Sequence, residues 1–232
     1  MKRFWTSAQA VADGTGWSIR LDGRPVRTPA RAALTVPGRA LAEAIAAEWS
    51  AQGEMLDPRT MPMTGFANAT LDRVLPALGD FRGQIAAYAE SDLLCYRAEG
   101  PEALVARQVE AWDPLLDWAR TRHGAAFVIT SGIIPVDQPA ASLAALRGAV
   151  EALDPWLLAG AATLTQIGGS LVGTLALLGD AAEAEALFEA ASLDERWQAE
   201  QWGADAEAEA RLAARRAEFL DAARYCALVR EG

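Results

Sequence analysis

The hydrophobic pattern changes once along the chain. In residues 4–37 it alternates: Trp17, Ile19 and Leu21 occupy every second position between polar residues, the spacing of a half-buried strand. Asp22-Gly23, a tight hairpin dipeptide, comes next, and residues 24–28 read as the returning strand. Asp13-Gly14-Thr15-Gly16 marks an earlier turn, and Leu34-Thr35-Val36 a further short strand. Pro25, Pro29 and Pro37 lack an N–H and suit strand edges and exits. The pattern predicts a small antiparallel meander.

Beyond Pro37 the period lengthens to that of a helix. Leu41, Ile45 and Trp49 form a stripe suited to packing on one face of the meander, and Gly53 is expected to end that helix. Asp57-Pro58 and Met61-Pro62 break the pattern and place a boundary between a small N-terminal α+β domain, residues 1–64, and a C-terminal helical domain, residues 65–232. Phe81, Ile85 and Tyr88 mark one downstream helix. Val105, Val109, Trp112, Leu116 and Ala119 mark another, bent at Pro114 and closed by His123-Gly124. Residues 127–134 read as an extended connection, and Pro139 opens a helix that buries Leu143, Leu146, Val150 and Leu153. Residues 180–191 form a short acidic helix, Ser192-Leu193-Asp194-Glu195 reads as a capping box, and Gly203 stops the helix it begins. A last helix covers 205–229, with Leu212, Phe219 and Cys226 a heptad apart and Glu207 four residues before Arg211. The predicted fold class is α+β: a β-meander with a packed helix, then a larger all-helical part.

Residues 155–179 carry no charged side chain and are long enough to cross a bilayer. Thr163, Thr165, Gln166 and Ser170 dilute their hydrophobicity, and Asp154 and Asp180 flank them without a basic anchor. A buried helix or helix pair is the better expectation, with Gly169 and Gly173 admitting close neighbours. Across all 232 residues, 52% are hydrophobic and 22% charged, the balance of a globular chain with a core of its own. The net charge of -10 repels phosphate backbones and anionic lipids, which argues against nucleic acid and membrane surfaces as partners. Cys95 and Cys226 stand in no metal-ligand or disulfide-framework spacing, and the sequence from Met1 shows no apolar signal region, so a cytoplasmic protein with reduced thiols is expected.

Candidate chemistry is sparse. The chain contains no GxxxxGK, GxGxxG, HExxH or GxSxG, so neither a nucleotide nor a metal nor another cofactor is expected. His123, the single histidine, suits a helix C-terminus, and Gly168-Gly169-Ser170 lies in an apolar run without a basic residue, which suits close packing. The carboxylates offer more. Asp194, Gln198 and Trp202 fall at i, i+4 and i+8, with Glu195, Asp205 and Glu207 close by, a set able to form one polar and aromatic patch. A purely structural account also covers them: Glu195 as the third position of a capping box, Asp205 as an N-cap, Glu207 in an ion pair. Eight tryptophans in a chain without catalytic apparatus favour a binding module over an enzyme.

Several words then occur in order: residues 21–29 (LDGRPVRTP), 47–52 (AEWSAQ), 61–64 (MPMT), 92–97 (DLLCYR), Gln108 with Trp112-Asp113-Pro114, and 198–203 (QAEQWG). Together they resemble the Atp-twelve (Atp12) family, assembly chaperones that hold the alpha subunit of the F-type ATP synthase until the beta subunit joins it, and the likeness spans nearly the whole chain. The resemblance implies a small α+β domain followed by a helical one, no catalysis and no cofactor. It also implies a bacterial member acting in the cytoplasm, and partner contacts by Asp194, Glu195, Gln198, Trp202 and Asp205; the segment from Asp194 to Glu207, Glu207 included, is the candidate partner-binding site. Two other classes stay open: a small-molecule enzyme using the Asp194, Glu195 and Asp205 carboxylates, and a helical adaptor for another complex.

Overall fold

The computed structural model describes residues 2–14, 16–203 and 205–232, so Thr15 of the first expected turn lies outside the described residues. The chain forms two compact units, both discontinuous in sequence: Met1–Leu78 with Asp154–Gly160 and Asp221–Gly232, and Gly79–Leu153 with Ala161–Leu220.

In the first unit, β1 (Ala8–Asp13) and β2 (Gly16–Leu21) pair antiparallel from Asp13↔Gly16 to Ala8↔Leu21. β3 (Arg24–Pro25) returns along β2 after a two-residue loop in which Asp22 and Gly23 have φ of 48° and 81°, the left-handed pair that a type I′ hairpin needs. The Asp22 carboxylate accepts from the N–H groups of Thr6 and Ser7 and from both their hydroxyls, which ties the hairpin to the segment before β1. The returning strand is shorter than the expected 24–28 because Pro25 and Pro29 cannot donate to a ladder; an isolated bridge, Arg27↔Ala33, replaces it before β4 (Thr35–Val36) rejoins β2 at Trp17↔Val36. α1 (Arg39–Ser50) buries Leu41, Ala42, Ile45, Ala46 and Trp49, the stripe its periodicity predicts.

That helix ends at Ser50, ahead of Gly53, and two polar side chains organise the connection to the next one. The buried Gln52 amide donates to the Glu48 carbonyl and the Thr60 hydroxyl and accepts from the Asp57 N–H. The Glu48 carboxylate accepts from the N–H groups of Met63 and Thr64 at 2.7 and 2.8 Å and from the Thr64 hydroxyl, capping α2 (Pro62–Ala69) from a distant element. A π-helical turn over Thr70–Val74 continues α2. There Phe66 stacks on Tyr225, whose hydroxyl lies 3.0 Å from that of Thr70.

The second unit holds most of α3 (Leu78–Ala87), then β5 (Tyr96–Arg97) and α4 (Glu102–His123), after which β6 (Thr130–Ser131) pairs parallel with β5. α4 contains Pro114, ends at left-handed Gly124, and buries Leu104, Gln108, Trp112, Leu115, Leu116 and Ala119. The predicted stripe is therefore off by one residue at its start: Val109 is exposed and Gln108 points inward, where its amide bridges two chain segments. His123 is half-buried edge-on against Trp118, and that burial, aided by Arg122, lowers its pKa and favours the neutral ring.

α5 (Ala140–Glu151) precedes the uncharged stretch, which forms not one long helix but α6 (Leu158–Gly168) and α7 (Leu171–Leu178), broken at Gly169 with φ of 65°. No helix of the described residues is long and apolar enough to cross a membrane. The fully buried Asp92 carboxylate accepts from Leu94 and, at 2.9 Å, from the Val172 N–H, so one side chain caps both the 93–95 turn and α7. α8 (Ala184–Ala191), α9 (Leu193–Trp202) and α10 (Ala206–Arg230) complete the chain, the last twelve residues belonging to the first unit. The acidic helix starts at Ala184 and is shorter than the expected 180–191. Together the elements make an α+β fold.

Candidate partner-binding site

α9 buries none of its residues fully, and its sequence has no amphipathic stripe to dock it. Polar side chains hold it instead. Asp194 accepts from the Gln108 Nε2 at 2.7 Å, while the Gln108 Oε1 accepts from the Ala98 N–H. Arg107 of α4 pairs with Glu200 at 2.8 Å and lies 4.6 Å from the Trp197 ring centre. On the other flank Glu195 pairs with Arg215 of α10 at 2.8 Å, both about half exposed.

The expected capping box does not form. The Ser192 hydroxyl donates back to the Phe188 carbonyl and closes α8, leaving Glu195 free to face Arg215. Asp205 does stand just ahead of α10, with the Glu207 N–H 3.4 Å from its Oδ1, and Glu207 pairs with Arg211 as its spacing predicts.

The six sequence-predicted residues thus divide. Asp194 and Glu195 are half-buried and anchor α9, and Glu207 is in a surface pair on α10. Gln198, Trp202 and Asp205 are exposed; Trp202 stands 80% open to solvent. A groove of about 650 Å³ runs between the outer face of α9 and the first turns of α10. It is lined by Glu195, Gln198, Trp202 and Asp205, whereas Asp194 and Glu207 are not among its walls. Sequence reasoning missed Ala199, Ala208, Glu209 and Leu212, which also line it. Their spacing from Glu195 and Asp205 at three, four and seven residues was the available signal. Of the wall carboxylates, Glu195 and Glu200 are paired with Arg215 and Arg107, while Arg196 pairs with Glu189, so Asp205 and Glu209 give the groove its acidic character. The groove thus sets an exposed indole, a side chain enriched at protein interfaces, beside carboxylates.

An α+β scaffold braced by capping carboxylates thus carries a surface helix with an open groove, and likeness to known proteins places that scaffold among assembly chaperones. The chain belongs to the ATP12 chaperone family, which matches residues 2–120 and gives it a chaperone role in ATP synthase assembly. The crystal structure of Atp12 from Paracoccus denitrificans is 42% identical, with a TM-score of 0.94 over 98% of each chain. An aspartate-to-lysine variant of that Paracoccus protein matches as well, with the same score and identity over 98% of this chain and 97% of that one. A protein of Agrobacterium tumefaciens is 40% identical, with a TM-score of 0.90 over 98% of this chain and 84% of its own.

Proposed function

We propose that this chaperone holds the unassembled alpha subunit of the F-type ATP synthase, in the cytoplasm of a bacterium, and that the face around Trp202 takes part in the contact. The observation that carries the reading is the exposure of the whole 198–203 segment, all six residues of it, with only Glu200 given a fold contact above, while key side chains of other family-like words are turned to the fold. Glu48 and Asp92 cap helices, and Gln52 and Gln108 bridge loops, whereas Trp202 has no such duty. An unassembled subunit exposes apolar surface meant for its neighbour and aggregates through it, so a stoichiometric cap suffices. Release then occurs when the beta subunit binds the same client surface more tightly. The enzymatic alternative loses ground because Asp194 and Glu195 are held by Gln108 and Arg215 as anchors of α9.

The test pairs stability with capture. Trp202→Ser is expected to leave the unfolding free energy within about 0.5 kcal/mol of the parent, as exposed substitutions do, and Asp205→Lys, which also removes the bond to the Glu207 N–H, to cost about 0.5–2 kcal/mol; both are expected to weaken suppression of alpha-subunit aggregation. Full suppression by both variants would remove this face from the contact.

A further inference from the structure

Residues 128–134 place four large apolar side chains in solvent: Val128, Ile129, Ile133 at 95% exposure and Ile134 at 76%. A patch of that kind is unusual on a soluble chain unless something covers it. The loop is also held in shape. The buried Gln138 amide closes its base by accepting from the Val128 N–H at 2.8 Å and donating to the Val128 carbonyl at 3.0 Å, and the Ser142 hydroxyl holds the Ala126 carbonyl. Midway, β6 pairs with β5, which Arg97 secures by its 2.6 Å pair to Asp113 and its place 5.0 Å from the Trp112 ring.

Among the described residues, β6 belongs to a two-stranded sheet with β5 as its one neighbour. The Gly132 N–H donates to the Arg97 carbonyl, toward β5. Main-chain groups alternate sides along a strand, so those of Ser131 face the open edge. Charge decides what fits there. Residues 125–136 contain no charged side chain, in a chain of net charge -10. Two exposed carboxylates border the loop, Glu99 against Gly132 and Asp137 just before Gln138, and neither has an ion-pair partner among the described residues, whereas Arg97 of the neighbouring strand is buried and paired with Asp113.

We propose that the open edge of β6, with Ile129, Ile133 and Ile134 beside it, docks an extended apolar segment of a client polypeptide carrying lysine or arginine at its flank, added as a third strand. The inference rests on the chaperone reading but uses a surface separate in sequence from the Trp202 face. Main-chain bonds supply affinity in such strand addition, and the side chains beside the edge supply preference.

The probe is a short, soluble, dye-labelled peptide of alternating valine and threonine with lysine at both ends, titrated against the full chain by fluorescence anisotropy. Saturable binding is expected, with slowed amide exchange at Ser131. Ile133→Ser combined with Ile134→Ser weakens it about tenfold or more, at an unchanged melting temperature; Ile133→Ser alone provides a milder variant should the pair disturb folding. A glutamate-flanked peptide binds more weakly than the lysine-flanked one. Equal binding to parent and variants, no binding at all, or light scattering that shows the patch joining two copies of this chain would each overturn the inference. The same variants are then assayed with the alpha subunit. Undiminished capture overturns the β6 edge and spares the proposed function, whereas no capture by the parent chain sinks the proposed function itself.

Discussion

Asp22 and Asp92 both accept hydrogen bonds from backbone N–H groups, yet they titrate in opposite directions because only one is in water. At exposed Asp22 the Ser7 N–H, together with the Thr6 hydroxyl and N–H, holds the carboxyl at about 2. A depressed folded-state pKa contributes stability that is present above the unfolded value near 3.8 and is lost as pH falls through about 2. Asp22→Asn is therefore expected to melt below the parent at neutral pH, with the difference closing on acidification toward pH 2. At Asp92 burial outweighs the bonds from Val172, Ser170 and Leu94 and pushes the carboxyl up to about 6. Here the folded state takes up the proton first, so the stabilising contribution is full below about 3.8 and is lost as pH rises through about 6. The parent should lose up to roughly 3 kcal/mol of this contribution between pH 4 and pH 8. Asp92→Asn should flatten most of that fall, with Glu48, also raised by burial, keeping a remainder. Urea unfolding of both proteins across that window checks it, and identical slopes would show that Asp92 titrates elsewhere.

At the scale of elements, the two glycines of the uncharged segment turn out to serve different ends. A Cβ on Gly169 would meet Leu93 at an ordinary 3.4 Å, so its requirement is the left-handed backbone that separates α6 from α7. Gly169→Ala is expected to cost about 1–2 kcal/mol and Gly169→Asn less. Gly173 is the close-packing position: a Cβ there would come within 2.7 Å of the Leu187 side chain, so Gly173→Ala overpacks and costs about 1–3 kcal/mol. Thermal melts of the three variants rank them, and an Asn no better than Ala at position 169 would rule out the backbone argument. The same contrast marks what the sequence could reveal. The alternation through β2, the Asp22-Gly23 hairpin, the α1 stripe and the ends of α4 at Gly124 and α9 at Gly203 are local patterns and were legible. The inward Gln108 and the failed capping box were not, because their partners lie far along the chain: Asp194 is 86 residues from Gln108, and Arg215 draws Glu195 away from Ser192. For the site, periodicity put Glu195, Gln198, Trp202 and Asp205 near one another but could not foretell that Asp194 and Glu207 face elsewhere. Nor could a run of apolar residues such as 127–134 announce that it stays in solvent.

For the molecule as a whole, the discontinuity of the first unit has a mechanical meaning. The meander and α1 draw their core from residues near in sequence, Ile19, Leu34, Val36, Leu41 and Ile45, all buried. α2 and the Thr70–Val74 turn depend instead on the far end of the chain, where Tyr225 stacks at 5.0 Å on Phe66 and meets the Thr70 hydroxyl across 155 residues. Tyr225, Cys226 and Val229 are all buried in the intact protein. Removing residues 221–232 should therefore loosen α2 and residues 70–74 while residues 8–50 keep their protection, a local opening rather than global unfolding. Tyr225→Ala in the full chain should act the same way and cost about 3–5 kcal/mol, the range for emptying a large aromatic site. Hydrogen exchange resolved by segment measures both. If residues 62–74 exchange as slowly in the truncated chain as in the parent, the C-terminal helix does not support α2; if residues 8–50 open together with them, the meander depends on the C-terminus and its core is not self-sufficient.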